Sequence, residues 1–401
     1  MAVLENKSVL VCVTAGIAAY KAVEVVRLLQ KEGADVRVAM TWGAKSFVGE
    51  MTFAAISGHP VLSNLFKEGE GASIGHIETA EKADVVVVAP ATANIIGKLA
   101  HGIADDAVTT TLLAVTTPKL ICPAMNTHMY ENRAVQRNLD ILEGDGYHVV
   151  EPGAGEMACG TTGPGRLPEP STIVDRVKAV LFSKDLAGKK ILVSAGPTQE
   201  AIDPVRYISN HSSGKMGYEV ARAAEYRGAE VTLVSGPVSL APPVGVDRIS
   251  VTSVDEMAET IFSRLDEVDA VIKVAAVADY RPRTRCEHKI KKLNDDMTIE
   301  LDKNMDILKE LGRRKTRQVL VGFAAETQDL AGNARKKIEA KNLDMIVGNL
   351  VGDPASGFGT DTNIVTFFHP DGRKEPFESM GKDEVAHALL DRIAGMMKTR
   401  G

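Results

Sequence analysis

The densest run of chemistry-bearing residues in the chain is Gly196-Pro-Thr-Gln-Glu-Ala-Ile-Asp-Pro-Val-Arg-Tyr-Ile-Ser-Asn-His-Ser-Ser-Gly-Lys-Met-Gly217. An apolar run at 191–194 precedes it and a helix-like run at 215–227 follows it. A strand, a Gly/Ser/Asn-rich loop and a helix start together make an anion cradle, because unpaired backbone N–H groups and the positive helix end converge there. The loop has neither the Gly-x-Gly-x-x-Gly nor the Gly-x4-Gly-Lys-Ser/Thr spacing. Glu200, Asp203, Arg206 and Asn210 bring more polar chemistry than a phosphate cradle needs, so a reactive group is expected here. The basic cluster Lys289-Ile-Lys-Lys292 reads by itself as a solvated face. Beside such a loop, it could neutralise a triphosphate and a carboxylate brought together for activation.

In the first half, Thr14-Ala-Gly-Ile-Ala18, Ala89-Pro-Ala-Thr-Ala-Asn94 and Pro123-Ala-Met-Asn126 each follow a strand-like run. Strand ends are where ligands bind in doubly wound sheets. Small residues there suit packing as well as a flat ring, but three successive clusters favour a cofactor crevice. His76, in Gly75-His-Ile-Glu78, stands open between a structural histidine and an acid–base group. Cys159 lies in Met157-Ala-Cys-Gly-Thr-Thr-Gly-Pro-Gly165, whose glycines suit a mobile loop or lid. It is a better reactive thiol than the strand residues Cys12 and Cys122, although an incidental surface thiol fits the spacing equally.

Positioning these groups takes a repeated strand–helix plan. Strand-like runs fall at 7–14, 36–40, 84–89 and 119–122, with a helix-like run at 17–31. The second half repeats the plan at 190–194, 230–235, 269–274, 318–322, 344–347 and 363–368. Continuous Val-rich runs imply strands buried on both faces, hence parallel sheets covered by helices. The expected class is α/β: two doubly wound Rossmann-like domains, 1–185 and 190–401, joined through the polar stretch 183–189. At 401 residues the chain exceeds one ordinary core. Aromatics at 4% and a net charge of −6 argue against a nucleic-acid platform. No apolar run approaches the ~20 residues of a membrane span. Four cysteines without Cys-x-x-Cys spacing indicate neither zinc nor a disulfide framework. The expectation is a cytoplasmic enzyme with reduced thiols and no membrane partner.

Gly16-Ile-Ala-Ala-Tyr-Lys21, Gly75-His-Ile-Glu78, Ala89-Pro-Ala-Thr-Ala-Asn94, Pro123-Ala-Met-Asn126 and Ala158-Cys-Gly160 together resemble the flavin-dependent cysteine decarboxylases. With Gly163-Pro-Gly-Arg166 and the opening of the second half, the whole chain resembles the bifunctional coenzyme A biosynthesis flavoproteins. Those join phosphopantothenoylcysteine decarboxylase to phosphopantothenate–cysteine ligase. The family's Pro-x-Met-Asn-x-x-Met-Trp reads Pro123-Ala-Met-Asn-Thr-His-Met-Tyr130 here, which keeps an aromatic at its end.

For the first half, the resemblance implies a flavodoxin-like fold and FMN held by Gly16, Ile17, Thr41, Ala91, Thr92 and Asn94. It also implies His76 as base, Asn126 on the substrate carboxylate and Cys159 as proton donor. A cysteine carboxylate has no electron sink. Transient two-electron oxidation of its CH2–SH unit to a thioaldehyde supplies one, and the enethiolate left after CO2 departs takes back a hydride and a proton.

For the second half, the resemblance implies that 4'-phosphopantothenate attacks the α-phosphate of CTP, pyrophosphate leaves, and the amine of cysteine displaces CMP. Lys289 then stabilises charge in forming the acyl-cytidylate, Asn210 binds that intermediate, and Arg206 is a substrate residue. Nucleotide contacts are implied for Ser212, Ser213, Gly214, Ala275, Asp279, Lys289, Met305, Asp306, Ile307, Leu308, Phe323, Lys337 and Lys341, with Met305 where the family often has Pro. Mg2+ is expected on the substrate phosphates rather than in a protein cage. Trimeric flavin halves and dimeric ligase halves would build a homo-dodecamer. A generic NAD-dependent dehydrogenase is disfavoured by the missing Gly-x-Gly-x-x-Gly motif. A ligase with a degenerate flavin half is disfavoured by the intact His76, Asn126 and Cys159. A non-catalytic regulatory flavoprotein, for which loss of Cys159 or an acidic tail is expected, is disfavoured by Cys159 and the closing run Met396-Met-Lys-Thr-Arg-Gly401.

Overall fold

Val9, Leu10, Val11, Cys12 and Val13 are all buried, so their run has to be covered on both faces, which only an interior strand of a layered sheet allows. The computed structural model describes residues 3–65, 75–156, 160–291, 297–326, 328–350 and 359–400. It divides into two compact units, Met1–Phe182 and Ser183–Gly401.

In the first unit, β1 (Ser8–Val13), β2 (Asp35–Met40), β3 (Val85–Ala91), β4 (Lys119–Pro123) and β5 (Tyr147–Val149) form one parallel sheet in the order β2-β1-β3-β4-β5. Helices Ala19–Lys31 and Pro170–Val180 cover one face, and helices Ala93–Ala100, Ala107–Ala114 and Arg133–Gly144 cover the other. The chain leaves β1 toward β2 and returns to β3 on the other side, so a crevice opens between the carboxyl ends of β1 and β3. β3 runs on to Ala91 past the expected end at 89, with a register shift against β4 and a cis Ala89–Pro90 bond. The stretch read as a lid is in part a hairpin: β6 (Gly153–Glu156) pairs antiparallel with β7 (Thr162–Arg166). Residues 157–159 lie outside the described residues.

The second unit has β8 (Lys190–Ala195), a small antiparallel hairpin of β9 (Gln199–Ala201) and β10 (Tyr207–Ser209), then β11 (Glu230–Ser235), β12 (Asp247–Ser250) and β13 (Ala270–Lys273). The pair β14 (Tyr280–Pro282) and β15 (Leu301–Lys303) follows, then β16 (Val319–Glu326) and β17 (Met345–Leu350). Last come β18 (Thr362–Asn363), β19 (Val365–Phe368), β20 (Lys374–Pro376) and β21 (Met380–Gly381). The main sheet runs β12-β11-β8-β13-β16-β17-β19-β20. It is parallel through β17, but β19 and β20 add antiparallel strands, so the run at 363–368 does not extend the parallel plan. The turn at 369–373 between β19 and β20 is too short for a crossover helix, which forces the antiparallel return. Helices Lys215–Tyr226 and Lys382–Arg400 pack on one face, and helices Val254–Phe262, Ile307–Arg314 and Leu330–Lys341 on the other. The switch of direction falls between β8 and β13.

Candidate functional site

At the β1/β3 crevice Thr14, just past β1, points its hydroxyl across the gap, donating to the Pro90 carbonyl at 2.6 Å, with Thr92 Oγ1 3.4 Å away. Thr92 in turn caps helix Ala93–Ala100, accepting from the Ile95 N–H. Helix Ala19–Lys31 begins at Ala18 with no side-chain cap and no acidic residue in its first turn, where the Ala19 and Lys21 N–H groups donate to the Gly16 and Ala18 carbonyls, and its positive end faces the gap. A cleft of about 500 Å³ opens here, lined by Gly16, Ile17, Thr92 and Asn126 among others. A neighbouring cavity of about 460 Å³ shares Ala15, Thr92, Ala93 and Met129 with it and adds Thr41 and Asn94. Thr41 Oγ1 is buried there without a hydrogen-bond partner among the described residues.

Asn126 follows β4, and its amide is oriented from both ends. Oδ1 accepts the His128 N–H at 2.9 Å, and Nδ2 donates to Thr161 Oγ1 at 3.1 Å. The approach of the hairpin depends on glycine: a Cβ at Gly165, where φ is +132°, would stand 2.3 Å from the Met125 carbonyl oxygen. Ala91 is fully buried as the last residue of β3 and lines neither cavity. His76 sits half-buried on helix Gly75–Lys82 and also lines neither. Cys159 lies outside the described residues.

In the second unit a pocket of about 160 Å³ brings together Gly196, Ser212, Ser213, Gly214, Ala275 and Phe323 at the β8/β13 switch point. Gly214 caps helix Lys215–Tyr226 with φ +79°, a left-handed conformation that glycine adopts at no steric cost. Four further polar residues join the lining: Lys215, Asn349, Asn363 and Lys382. Sequence reasoning missed the last three, which are single polar residues far apart along the chain.

A second polar group forms around the N-terminus of helix Ile307–Arg314. Asp306 accepts the Lys309 N–H and pairs with Lys341 at 2.8 Å. Burial alone would raise its carboxyl, but Lys341, the Lys309 N–H and Lys273 hold it below the usual range. Asn304 ties this turn to the segment bearing Asp279, donating to the Ala278 carbonyl at 2.9 Å while its N–H meets the Asp279 carbonyl at 2.8 Å. Met305 is half exposed, whereas Ile307 and Leu308 are core side chains, so ligand contact there would fall to backbone. Lys337 pairs with Glu326 at 2.6 Å.

Lys273 was also missed. It ends β13 at 8% exposure, donating to the Ala275 carbonyl at 3.3 Å. Burial pushes its ammonium down to about 8, Lys341 adds to the effect, and Asp306 and Asp279 oppose it. A lysine inside the apolar run Asp269-Ala-Val-Ile-Lys-Val was the available signal.

The polar loop divides between site and scaffold. Asn210 Nδ2 donates to the Val277 carbonyl at 2.9 Å, beside the strand end that carries Ala275. Glu200 is buried and accepts the Val254 N–H, and burial together with Asp255 and Glu256 raises its carboxyl. Arg206 is bound to Asp203, and Lys289 is exposed on the segment that follows Cys286. Among the described residues no cluster of three or more His, Cys, Asp or Glu side chains could hold a metal ion. None of the described helices is long and apolar enough to cross a membrane.

The Flavoprotein family model matches residues 2–182, and the model of the DNA/pantothenate metabolism flavoprotein C-terminal domain matches residues 186–397. The coenzyme A biosynthesis bifunctional protein CoaBC of Bacillus subtilis (strain 168) is 52% identical over 402 residues, covering 99% of each chain. The CoaBC of Escherichia coli (strain K12) is 46% identical over 396 residues, or 97% of each. The crystal structure of a CoaBC C-terminal domain is 45% identical, with a TM-score of 0.47, over 54% of this chain and 100% of that one. Two family models in tandem and end-to-end similarity to these relatives show that the chain belongs to the family of coenzyme A biosynthesis bifunctional proteins CoaBC.

Proposed function

We propose that this chain carries out two reactions of coenzyme A biosynthesis. The C-terminal unit joins cysteine to 4'-phosphopantothenate through an acyl-cytidylate formed from CTP, and the N-terminal unit decarboxylates the product to 4'-phosphopantetheine with FMN. The observation that carries this reading is the 52% identity, over 99% of both chains, to a protein named as bifunctional in coenzyme A biosynthesis.

The first unit fits a flavin nucleotide. Its cleft lies within the roughly 300–1,000 Å³ of small-molecule sites. It sits at the β1/β3 switch point of a 2-1-3-4-5 sheet, and the unpartnered Thr41 hydroxyl beside it can donate to a phosphate. Gly16, Ile17, Thr41, Thr92 and Asn94 would hold it, with Ala91 as backbone beneath. FMN bound there supplies the two-electron acceptor that a cysteine carboxylate lacks and returns the pair at the end. Asn126, with its amide already oriented, holds the substrate carboxylate without the ionic stabilisation that would oppose its loss. His76 accepts the proton released on oxidation, and Cys159 delivers one in the closing reduction.

In the second unit, Ser212, Ser213 and Gly214 cradle phosphate at the start of helix Lys215–Tyr226. Ala275, Asp279, Met305 to Leu308, Phe323, Lys337 and Lys341 contact the nucleotide, while Lys289 stabilises the charge of the attack. Mg2+ rides on the triphosphate, whose oxygens suit a hard cation that keeps several waters. The working form is a cytoplasmic homo-oligomer, trimeric through the flavin unit and dimeric through the ligase unit, closing as a dodecamer.

The test is product mass spectrometry of FMN-loaded protein with 4'-phosphopantothenate, cysteine and Mg2+, using CTP in one tube and ATP in another. Phosphopantetheine plus CMP in the CTP tube is expected. Neither phosphopantetheine nor phosphopantothenoylcysteine in either tube would overturn the proposal.

A further inference from the structure

The pocket at the β8/β13 switch point gathers two lysines, Lys215 and Lys382, together with Ser212, Ser213, Asn349 and Asn363. None of the described residues that line it is an aspartate or a glutamate. Lys215 opens helix Lys215–Tyr226 and is partly exposed. Its ammonium pairs with Asp361 at 2.6 Å and donates to the Gly359 carbonyl at 2.9 Å. Lys382 is a different case. It is the first residue of helix Lys382–Arg400 and is only 5% exposed. Its N–H donates to the Asp361 carbonyl at 3.0 Å, and its ammonium donates to the Thr360 carbonyl. Lysines seldom lie that deep. Burial disfavours the charged form of Lys382 and the Lys215 cation adds to this, with Asp361 and Glu219 acting the other way. Two lysines at one small pocket, one of them buried, hold repelling charges that an anion in the pocket would reconcile.

We propose that Lys382 binds the β- and γ-phosphates of CTP and takes up the charge of the departing pyrophosphate, an assignment that rests on the reading of this unit as the CTP-dependent ligase. The size of the pocket picks out that part of the nucleotide. At about 160 Å³ it falls below the roughly 300–1,000 Å³ of sites that enclose a whole small molecule. Asp279, Met305 to Leu308, Lys337 and Lys341, also proposed as nucleotide contacts, do not line it. The positive end of helix Lys215–Tyr226 meets the same pocket, so helix and lysines attract a polyanion together. During activation the carboxylate oxygen of 4'-phosphopantothenate forms a bond to the α-phosphorus. The bond from that phosphorus to the oxygen bridging to the β-phosphate breaks, and its electron pair stays on that oxygen. The pyrophosphate therefore gains one negative charge as it leaves, and no proton has to move. An ammonium already held at the Thr360 carbonyl is worth more as that charge grows than in the ground state, so Lys382 assists departure as well as binding.

The test compares Lys382→Met with the wild type, both full-length, in two measurements. One is calorimetric binding of inorganic pyrophosphate with Mg2+; the other is the rate of CMP release from CTP, 4'-phosphopantothenate and cysteine. The dissociation constant of pyrophosphate and the KM for CTP are each expected to rise about ten- to a hundredfold, the loss of one hydrogen bond to a charged group. The KM for 4'-phosphopantothenate should change less than about threefold. Unchanged pyrophosphate and CTP values in the variant would overturn the assignment. So would equal rises in both KM values, which mark a structural role, or a rise for 4'-phosphopantothenate alone, which would place the lysine on that substrate's phosphate. A wild type that releases no CMP would overturn the ligase reading itself, and the assignment with it. If Lys382→Met fails to fold, Lys382→Gln carries the same comparison, since its amide can still donate to the Thr360 carbonyl.

Discussion

Replacing Lys273 by methionine should make the second unit more stable at neutral pH. The side chain is 8% exposed at the end of a central strand, and its hydrogen bond to Ala275 is long at 3.3 Å. Burial is the main reason its ammonium falls from 10.5 to about 8. At about 1.4 kcal/mol per tenfold change in proton affinity, the charged form costs the fold about 3 kcal/mol below pH 8. The sign follows from proton counting. Between about 8 and 10.5 the unfolded chain keeps a proton that the folded chain has released, so the stability of the native protein rises with pH across that window. Methionine has similar length, no charge and a flexible stem that can fill the space. Hydrogen exchange of the β13 amides in full-length protein should give a larger opening free energy for Lys273→Met, by about 3 kcal/mol at pH 7 and progressively less toward pH 10. A wild type as stable as the variant at pH 7, or a gap that does not close with pH, would refute the reasoning.

Gly165→Ala should lower the thermal midpoint of the first unit by several degrees, as its Cβ would press on the Met125 carbonyl in a left-handed conformation worth about 1–3 kcal/mol of strain; calorimetry and FMN content check it. Cys159→Ser should leave ligation intact and stall decarboxylation at an oxidised or enethiol species; mass spectrometry showing normal phosphopantetheine output would remove the thiol from the mechanism. Asn210→Asp should accumulate acyl-cytidylate, because a carboxylate cannot donate to the Val277 carbonyl and would be displaced from it. Quenched-flow detection of the intermediate tests this, and unaltered turnover would reduce Asn210 to a loop tether.

The strand plan was legible because burial on both faces leaves a chemical trace. Residues 85–88 are four consecutive valines, and such runs have no solvent side to accommodate. The hairpins left no such trace. β9 and β10 have three residues each, too few for alternation to register. β7 reads Thr-Gly-Pro-Gly-Arg, a turn composition that pairs only because β6 and the Met125 backbone lie against it. The polar excess of the loop at 196–217 was read as reactivity, but Glu200 and Asp203 are buried partners of Val254 and Ile290. Such partners are far away in sequence, and one chain read alone carries no record of them. Lys273 escaped for the opposite reason, as one charge in an apolar run is easily taken as the end of a strand.

The two units solve the same problem with the same device. Asp84 stands just before β3, and its Oδ2 accepts the Ser8 N–H at 2.8 Å at the start of β1. Asp269 stands just before β13, and its Oδ2 accepts the Lys190 N–H at 2.9 Å at the start of β8. Each carboxylate therefore staples the amino edge of the two strands whose carboxyl edges flank the crevice. In both, burial would raise the acid, but the backbone bond and a nearby cation hold it low: Lys7 for Asp84, Arg317 for Asp269. A staple at that edge fixes strand register without occupying any of the opposite edge, which stays free for Thr14 and Thr92 in one unit and Gly196 and Ala275 in the other. Register has to be set somewhere, because a one-residue slip would turn every inward side chain outward. Setting it away from the crevice leaves the loops there free to diverge, which is how one sheet plan can hold a flavin cleft in one unit and a nucleotide-activating loop in the other.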